Sequence, residues 1–156
     1  MRKEEMFDTP KKKVSLDVTN LENFVYDMSR CIKCKGCYWV EHTYMPGVNF
    51  SVRCPSNLWN DFDAYGAFGK MRIGIAIHEG RLKWTDKLLE IIYADPLCGA
   101  CDVGCKRNLD LEIGLTLEAL RIKAVKDGVG PMPAHKKIAK NIETKHNQLG
   151  AAHENR

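Results

Sequence analysis

The chain has 156 residues, of which 44% are apolar and 28% charged, and its formal net charge is +4 at pH 7. These values are ordinary for a globular protein with one core, and so small an excess of positive charge does not indicate nucleic-acid binding. No apolar run approaches the roughly 18 residues of a membrane helix, and the N-terminal stretch has no apolar signal region, so we expect a cytoplasmic protein without a membrane span.

The chain opens with a polar segment and a short helix. Residues 1–20 are rich in Lys and Glu and have little periodicity, which predicts a mobile arm ahead of a single domain formed by residues 21–156. In residues 21–30 the apolar side chains fall on one helical face, which predicts a helix leading into Cys31. The apolar residues of that face are Leu21, Phe24, Val25 and Met28.

The middle of the chain contains one ambiguous segment and one clear helix. Residues 70–80, "KMRIGIAIHEG", alternate as a strand would, but they also fit helical spacing. Residues 85–95 have an apolar stripe after Thr85, which predicts a helix with Thr85 as its N-cap.

Two further helices are predicted in the last third of the chain. Asp110 is the expected cap of a long helix that ends at Gly128, because glycine readily adopts the left-handed conformation that ends helices. The last helix begins after Pro133 and has a narrow apolar face made by Ile138 and Ile142, so we expect it on the surface.

Seven cysteines are the most unusual feature of the composition. An odd number in a reducing compartment argues against a disulfide framework. Six of the seven stand in C-x2-C or C-x3-C steps, which indicates that they bind a metal or a cluster.

The first cysteine motif, "CIKCKGC", contains Cys31, Cys34 and Cys37. A loop with this spacing can present three thiolates to three corners of an iron–sulfur cubane. The next cysteine is Cys54, which is followed by proline as in the bacterial ferredoxin run, although an insertion separates it from Cys37. The alternative is a zinc site in an interaction module, but structural zinc sites usually combine two C-x2-C pairs.

The second motif, "DPLCGACDVGCKR", has only three cysteines. When it is aligned on the ferredoxin run from its C-terminal end, Asp95 takes the first ligand position and Lys106 replaces the final proline. We expect crossed ligation, in which the fourth cysteine of each run binds the other cluster. One [4Fe-4S] cluster would take Cys31, Cys34, Cys37 and Cys105, and the other would take Cys54, Cys98, Cys101 and, as a hypothesis, Asp95. A carboxylate is a harder ligand than a thiolate, so the alternative is a second site with three thiolates that holds a [3Fe-4S] cluster or an open iron.

With both motifs placed, residues 22–156 resemble the iron–sulfur subunits of heterodisulfide reductase and their relatives. The segments that carry the resemblance are "CIKCKGC…CP", "AYGAFGKMRIGIAIHEG", "IIYADPLCGACDVGCK", "EALRIKAVKDGVGP" and "NQLGAAHENR". The long first gap, Asp95 and Lys106 depart from the family pattern, and no CCG repeat of the longer members occurs in the sequence.

The resemblance implies a mainly α fold, namely an α-helical ferredoxin domain that binds two iron–sulfur clusters, and it favours a helix for residues 70–80. It also implies electron transfer within an oxidoreductase complex, with other redox subunits such as a flavoprotein or a CCG-domain subunit as partners, and no substrate site in this chain. Substrate chemistry at an open iron near Asp95 is the enzymatic alternative. Three tryptophans are expected to pack around the clusters: Trp39, Trp59 and Trp84.

Overall fold

The computed structural model describes residues 15–38 and 53–150, and every regular element in this part of the chain is helical. The fold is therefore mainly α, as predicted. The two described ranges contain seven α-helices: α1 (Val25–Arg30), α2 (Pro55–Asn60), α3 (Ala67–His78), α4 (Asp86–Tyr93), α5 (Ala100–Asn108), α6 (Ile113–Lys126) and α7 (Pro133–Lys145). Two 3-10 segments lie at Leu21–Phe24 and Asp63–Tyr65. Most of the predicted arm, most of the insertion after Cys37, and Trp39 lie outside the described residues.

The core forms between α3 and α6. Helix α3 contacts α1 on one side and α6 on the other, and α6 also contacts α4 and α5. Gly74 of α3 leaves room for the sulfur of Met28, because a Cβ at this position would collide with it. The largest apolar side chains that are fully buried in this core are Phe24, Met28, Met71, Ile92, Leu111, Ile113, Leu117 and Leu120.

Several sequence predictions about helices are confirmed. The ambiguous residues 70–80 lie mainly in α3, and α4 begins after Thr85, whose hydroxyl accepts a hydrogen bond from the Leu88 N–H at 3.1 Å. Helix α6 ends at Lys126, and Gly128 follows with a φ of 77°. Helix α7 has no buried residue, which agrees with its predicted surface position.

The predicted cap at Asp110 is wrong. Asp110 has a φ of 53° and its carboxylate pairs with Lys106 at 3.0 Å, whereas α6 begins only at Ile113. Long-range carboxylates serve this helix end instead: Asp102 accepts from the Gly114 N–H at 2.9 Å and Asp27 accepts from the Glu112 N–H at 2.8 Å. Tertiary contacts therefore replace the local cap that the sequence suggested.

Two of the predicted tryptophan positions can be compared with the structure. The prediction for Trp59 is wrong, because its side chain on α2 is 89% exposed. Trp84 packs against the core and its indole N–H donates to Asp127 at 2.8 Å. None of the described helices combines the length and the apolar character needed to cross a membrane.

Candidate metal centre

The first cysteine motif forms a tight loop directly after α1. Lys33 and Lys35 both have left-handed backbone conformations, with φ values of 58° and 62°. Left-handed residues cost a non-glycine side chain about 1 kcal/mol or more, so the surrounding contacts must hold this loop. One such contact is the guanidinium of Arg53, which donates to the Gly36 carbonyl and so joins the segment before Cys54 to the first motif.

The second cysteine motif is largely helical, which the sequence analysis missed. Helix α5 starts after Gly99, which has a φ of 73°, and it carries both Cys101 and Cys105. The C-x3-C step therefore places these two cysteines one helical turn apart. Gly104 lies against the carbonyl of Gly36, and a Cβ there would collide with that backbone oxygen. The two cysteine motifs are thus in direct backbone contact.

This contact brings one cysteine of the second motif to the thiols of the first. The pKa of the Cys37 thiol is raised to about 12, mainly by burial and in smaller part by the neighbouring thiols of Cys31, Cys105 and Cys34. Burial also raises the pKa of Cys105, with additional contributions from Cys31 and Cys34. The thiols predicted for the first cluster are therefore electrostatic neighbours in the fold.

A pocket brings together the residues predicted for the second cluster. It encloses about 240 Å³, part of it open to solvent. The residues that line it are Cys54, Pro55, Ala67, Asp95, Pro96, Cys98, Ala100 and Cys101. Cys54 precedes α2 and is buried, whereas Cys98 is exposed on the segment before α5. The three predicted thiols and the predicted carboxylate thus share one cavity, although Cys54 is distant from the others in the sequence.

Asp95 has firm partners of its own at the edge of this pocket. Its Oδ2 accepts from Lys70 Nζ at 2.9 Å and its Oδ1 accepts from the Leu97 N–H at 2.8 Å. Arg121 of α6 donates to the backbone carbonyl of Asp95. Direct ligation of iron by Asp95 stays a prediction, and a competing protein partner for the carboxylate is now identified.

The two thiol sets lie close to each other. The pKa of Cys101 is raised to about 12, mainly by burial and in smaller part by the charges of Asp102, Asp95 and Cys37. Cys101 belongs to the second set and Cys37 to the first, so an electrostatic contact joins the sets.

The donor chemistry fits iron–sulfur clusters. Soft thiolates are the ligands that hold such clusters, and both sets consist mainly of cysteines. Burial without a nearby cation raises the pKa of a thiol and so disfavours the thiolate. A bound metal cation stabilises the thiolate and reverses this preference. Within residues 15–38 and 53–150, no three Cys, His, Asp or Glu side chains converge closely enough to hold a single metal ion.

Three residues near the second thiol set were missed in the sequence. They are Lys70, Ser56 and Arg121. A signal for Lys70 exists, because it shares a helical face with Ile73, Gly74 and Ile77 and so stands as a charge on an apolar face. A lysine at such a position is rarely fully buried unless it is paired. No comparable pattern marks Ser56 or Arg121, whose contacts depend on the tertiary fold.

The chain was compared with family models, with curated proteins and with solved structures, and none of the three comparisons gave a match.

Proposed function

We propose that this protein is an electron-transfer subunit that carries two [4Fe-4S] clusters and belongs to a heterodisulfide reductase-like oxidoreductase complex. The observation that carries the proposal is the placement of Cys54 beside Cys98 and Cys101 in one pocket. Together with the electrostatic influence of Cys31 and Cys34 on Cys105, it supports the crossed ligation expected for two-cluster ferredoxins. The resemblance of residues 22–156 to the iron–sulfur subunits supports the same function.

In this proposal the two thiol sets hold the clusters. Each bound cluster would accept and pass on one electron at a time. Cys31, Cys34, Cys37 and Cys105 hold the first, and Cys54, Cys98 and Cys101 hold the second. The buried thiols Cys37, Cys54 and Cys105 provide a low-dielectric surrounding, whereas Cys34 and Cys98 are exposed and therefore accessible to a partner subunit. A flavoprotein or a CCG-domain subunit is the partner class that the family resemblance suggests.

The lysines near the two motifs differ in how strongly their charge would act on a bound cluster. Lys35 pairs with Asp63 at 3.1 Å, and Lys106 pairs with Asp110 and Glu112, so carboxylates offset both of these exposed lysines. Lys70 is also paired with a carboxylate, that of Asp95, but it is fully buried beside the second set. Screening by solvent weakens exposed charges far more than buried ones, so Lys70 is the lysine that we expect to influence a cluster.

The first test is anaerobic purification followed by iron, sulfide and zinc analysis and low-temperature EPR. The proposal predicts a brown protein with iron and sulfide sufficient for two clusters. A colourless protein that contains zinc and no iron would contradict it and favour the zinc-stabilised interaction module.

Crossed ligation is tested with two matched double variants. Cys34→Ser/Cys105→Ser removes two ligands of the same predicted cluster, so we expect one intact cluster to remain. Cys98→Ser/Cys105→Ser removes one ligand from each cluster, so we expect both to be impaired. Because Cys34 and Cys98 are both exposed, the variants differ mainly in which cluster they affect. The opposite pattern of iron loss would contradict the crossed assignment.

A further inference from the structure

Asp95 occupies the position where the ferredoxin pattern has a ligand, but in this fold its carboxylate holds the turn before Cys98 in place through hydrogen bonds. The side chain is buried, and each carboxylate oxygen has a hydrogen-bond donor: Lys70 Nζ at Oδ2 and the Leu97 N–H at Oδ1. Leu97 has a left-handed φ of 52°, so the bond from its N–H helps to hold the strained turn that leads to Cys98. The contact from Arg121 to the Asp95 carbonyl fixes the same turn from the side of α6.

The buried ammonium group of Lys70 depends on the Asp95 carboxylate to compensate its charge. Its side chain is 0% exposed, and its ammonium donates to three acceptors: Asp95 Oδ2 and Ser56 Oγ, both at 2.9 Å, and the Tyr65 carbonyl. An ammonium group has three donors, so all of them are used. Among these acceptors only Asp95 carries a negative charge. Removing one partner of a buried ion pair is strongly unfavourable, because the other charge is left uncompensated in a low-dielectric environment.

Ligation of iron by Asp95 would use the same carboxylate that pairs with Lys70. Its negative charge would be shared between the iron and Lys70, and the hard oxygen is already a poor match for a site built from soft thiolates. Three cysteines, by contrast, line the pocket without a comparable ion pair: Cys54, Cys98 and Cys101. Ser56 links this network to the pocket, because its hydroxyl lies 3.5 Å from Cys54 Sγ.

We propose that the Lys70–Asp95 ion pair keeps the carboxylate away from iron, so that Cys54, Cys98 and Cys101 alone hold the second cluster and one of its irons is open to an external ligand. This inference rests on the proposed function. The external ligand is water or hydroxide in the resting protein, and a small thiolate is the ligand class that the soft iron site prefers. Lys70 and Asp95 are positioning residues in this arrangement, since neither contacts the iron.

An iron without a protein ligand is expected to be labile. Under mild oxidation the second cluster would change from [4Fe-4S]2+ to [3Fe-4S]+, releasing one Fe2+ and one electron. Ferricyanide accepts the electron and is reduced to ferrocyanide, and EDTA captures the released Fe2+. The thiolates of Cys54, Cys98 and Cys101 remain bound throughout, and the ion pair is unchanged.

The test compares wild type, Asp95→Asn and Asp95→Cys after anaerobic cluster reconstitution. Each protein is treated with ferricyanide and EDTA, then assayed for iron and by low-temperature EPR. We expect wild type and Asp95→Asn to lose one iron per chain and to give the signal of a three-iron cluster. Asp95→Cys supplies a fourth thiolate and should retain that iron. In a second measurement, titration of the untreated wild type with 2-mercaptoethanol should alter the cluster spectrum, whereas Asp95→Cys should not respond.

The outcomes separate this inference from the proposed function. If wild type retains all its iron, does not respond to 2-mercaptoethanol, and only Asp95→Asn loses iron, Asp95 is a ligand and the inference is wrong while the two-cluster function stands. If wild type takes up no iron at all, the proposed function itself fails. Should Asp95→Asn not fold, the thiol titration of wild type and Asp95→Cys still decides the matter, because an unresponsive wild type contradicts an open iron.

Discussion

At the scale of single residues, the most consequential side chain outside the cysteines is Lys70. It connects three parts of the chain, namely the turn at Asp95, the start of α2 at Ser56 and the 3-10 segment at Tyr65. These same parts bring Cys54 to Cys98, so a buried cation organises the second thiol set. Buried ion pairs of this kind add little net stability compared with apolar side chains, but loss of one partner is costly.

The substitution Lys70→Met should therefore destabilise the protein by about 3–5 kcal/mol, because Asp95 would remain as a buried carboxylate without its cation. Anaerobic denaturant unfolding of the reconstituted protein measures this change. The matched control is Lys87→Met, which removes an exposed lysine that pairs with Glu90 at 2.8 Å, and it should have little effect. Equal unfolding midpoints for the two variants would show that the buried pair has no special importance.

At the scale of elements, the contact between the first cysteine loop and α5 determines how the thiol sets assemble. Gly104 allows the two backbones to approach, since a Cβ there would collide with the Gly36 carbonyl, and Cys105 lies next to Gly104 on the same helix. A side chain at residue 104 would push α5 away from the loop that carries Cys34 and Cys37. Overpacking of this kind commonly costs about 1–3 kcal/mol.

We expect Gly104→Ala to reduce the iron content of the first cluster and to leave the second less affected, because Cys105 would be displaced from Cys31, Cys34 and Cys37. Iron analysis and EPR of the reconstituted variant report this loss. Gly80→Ala is the control, since a Cβ there has no atom within 4 Å; its φ of 71° makes alanine unfavourable, so the variant should lose some stability without losing iron. Normal loading of both clusters in Gly104→Ala would mean that the backbone contact is not required for assembly.

The core between α3 and α6 makes a separate prediction. Leu120 is fully buried in this core, so Leu120→Ala should lower the free energy of unfolding by about 2–5 kcal/mol through lost contacts and a cavity. Val125 lies on the same helix but is 48% exposed, and Val125→Ala should cost much less. Thermal or denaturant unfolding under anaerobic conditions compares the two, and a similar loss in both would contradict the proposed role of α6 in the core.

The elements also show what could be predicted from the sequence. Helices α4, α6 and α7 were identified because their patterns or end signals are local, such as the cap at Thr85 and the stop at Gly128. The helical character of α5 was missed, because this segment has too few apolar residues to form a clear helical pattern. Its cysteine spacing was interpreted only as metal-ligand spacing. Membership of the second pocket was predicted from motif alignment, whereas the ion pair of Asp95 with Lys70 depends on packing between distant segments and has no local signature.

At the scale of the whole molecule, the two thiol sets share α5 but belong to different parts of the fold. Cys101 faces the pocket and Cys105 faces the first loop, although one helical turn of about 6 Å separates them along the axis. Any disorder in α5 would therefore affect both sets. Among the described residues, the apolar cluster around α3 and α6 includes two buried cysteines, Cys37 and Cys105, with Cys31 and Cys101 packed against it.

Removal of iron should consequently melt the cysteine-bearing part of the protein before the core. Helices α2 and α5 have 6 and 9 residues, too short to be stable alone, and without clusters the crowded thiols provide no cross-links. In anaerobic apo-protein prepared with a chelator, we expect lower helix content by circular dichroism, a less cooperative unfolding transition, and fast amide exchange in α5 while α6 stays protected. Reconstitution with iron and sulfide should restore protection in α5. Native-like cooperative unfolding of the apo-protein, with the amides of α5 still protected, would contradict this prediction. It would show that the polypeptide folds without its clusters, so that metal binding and folding are not coupled as the crossed ligation implies.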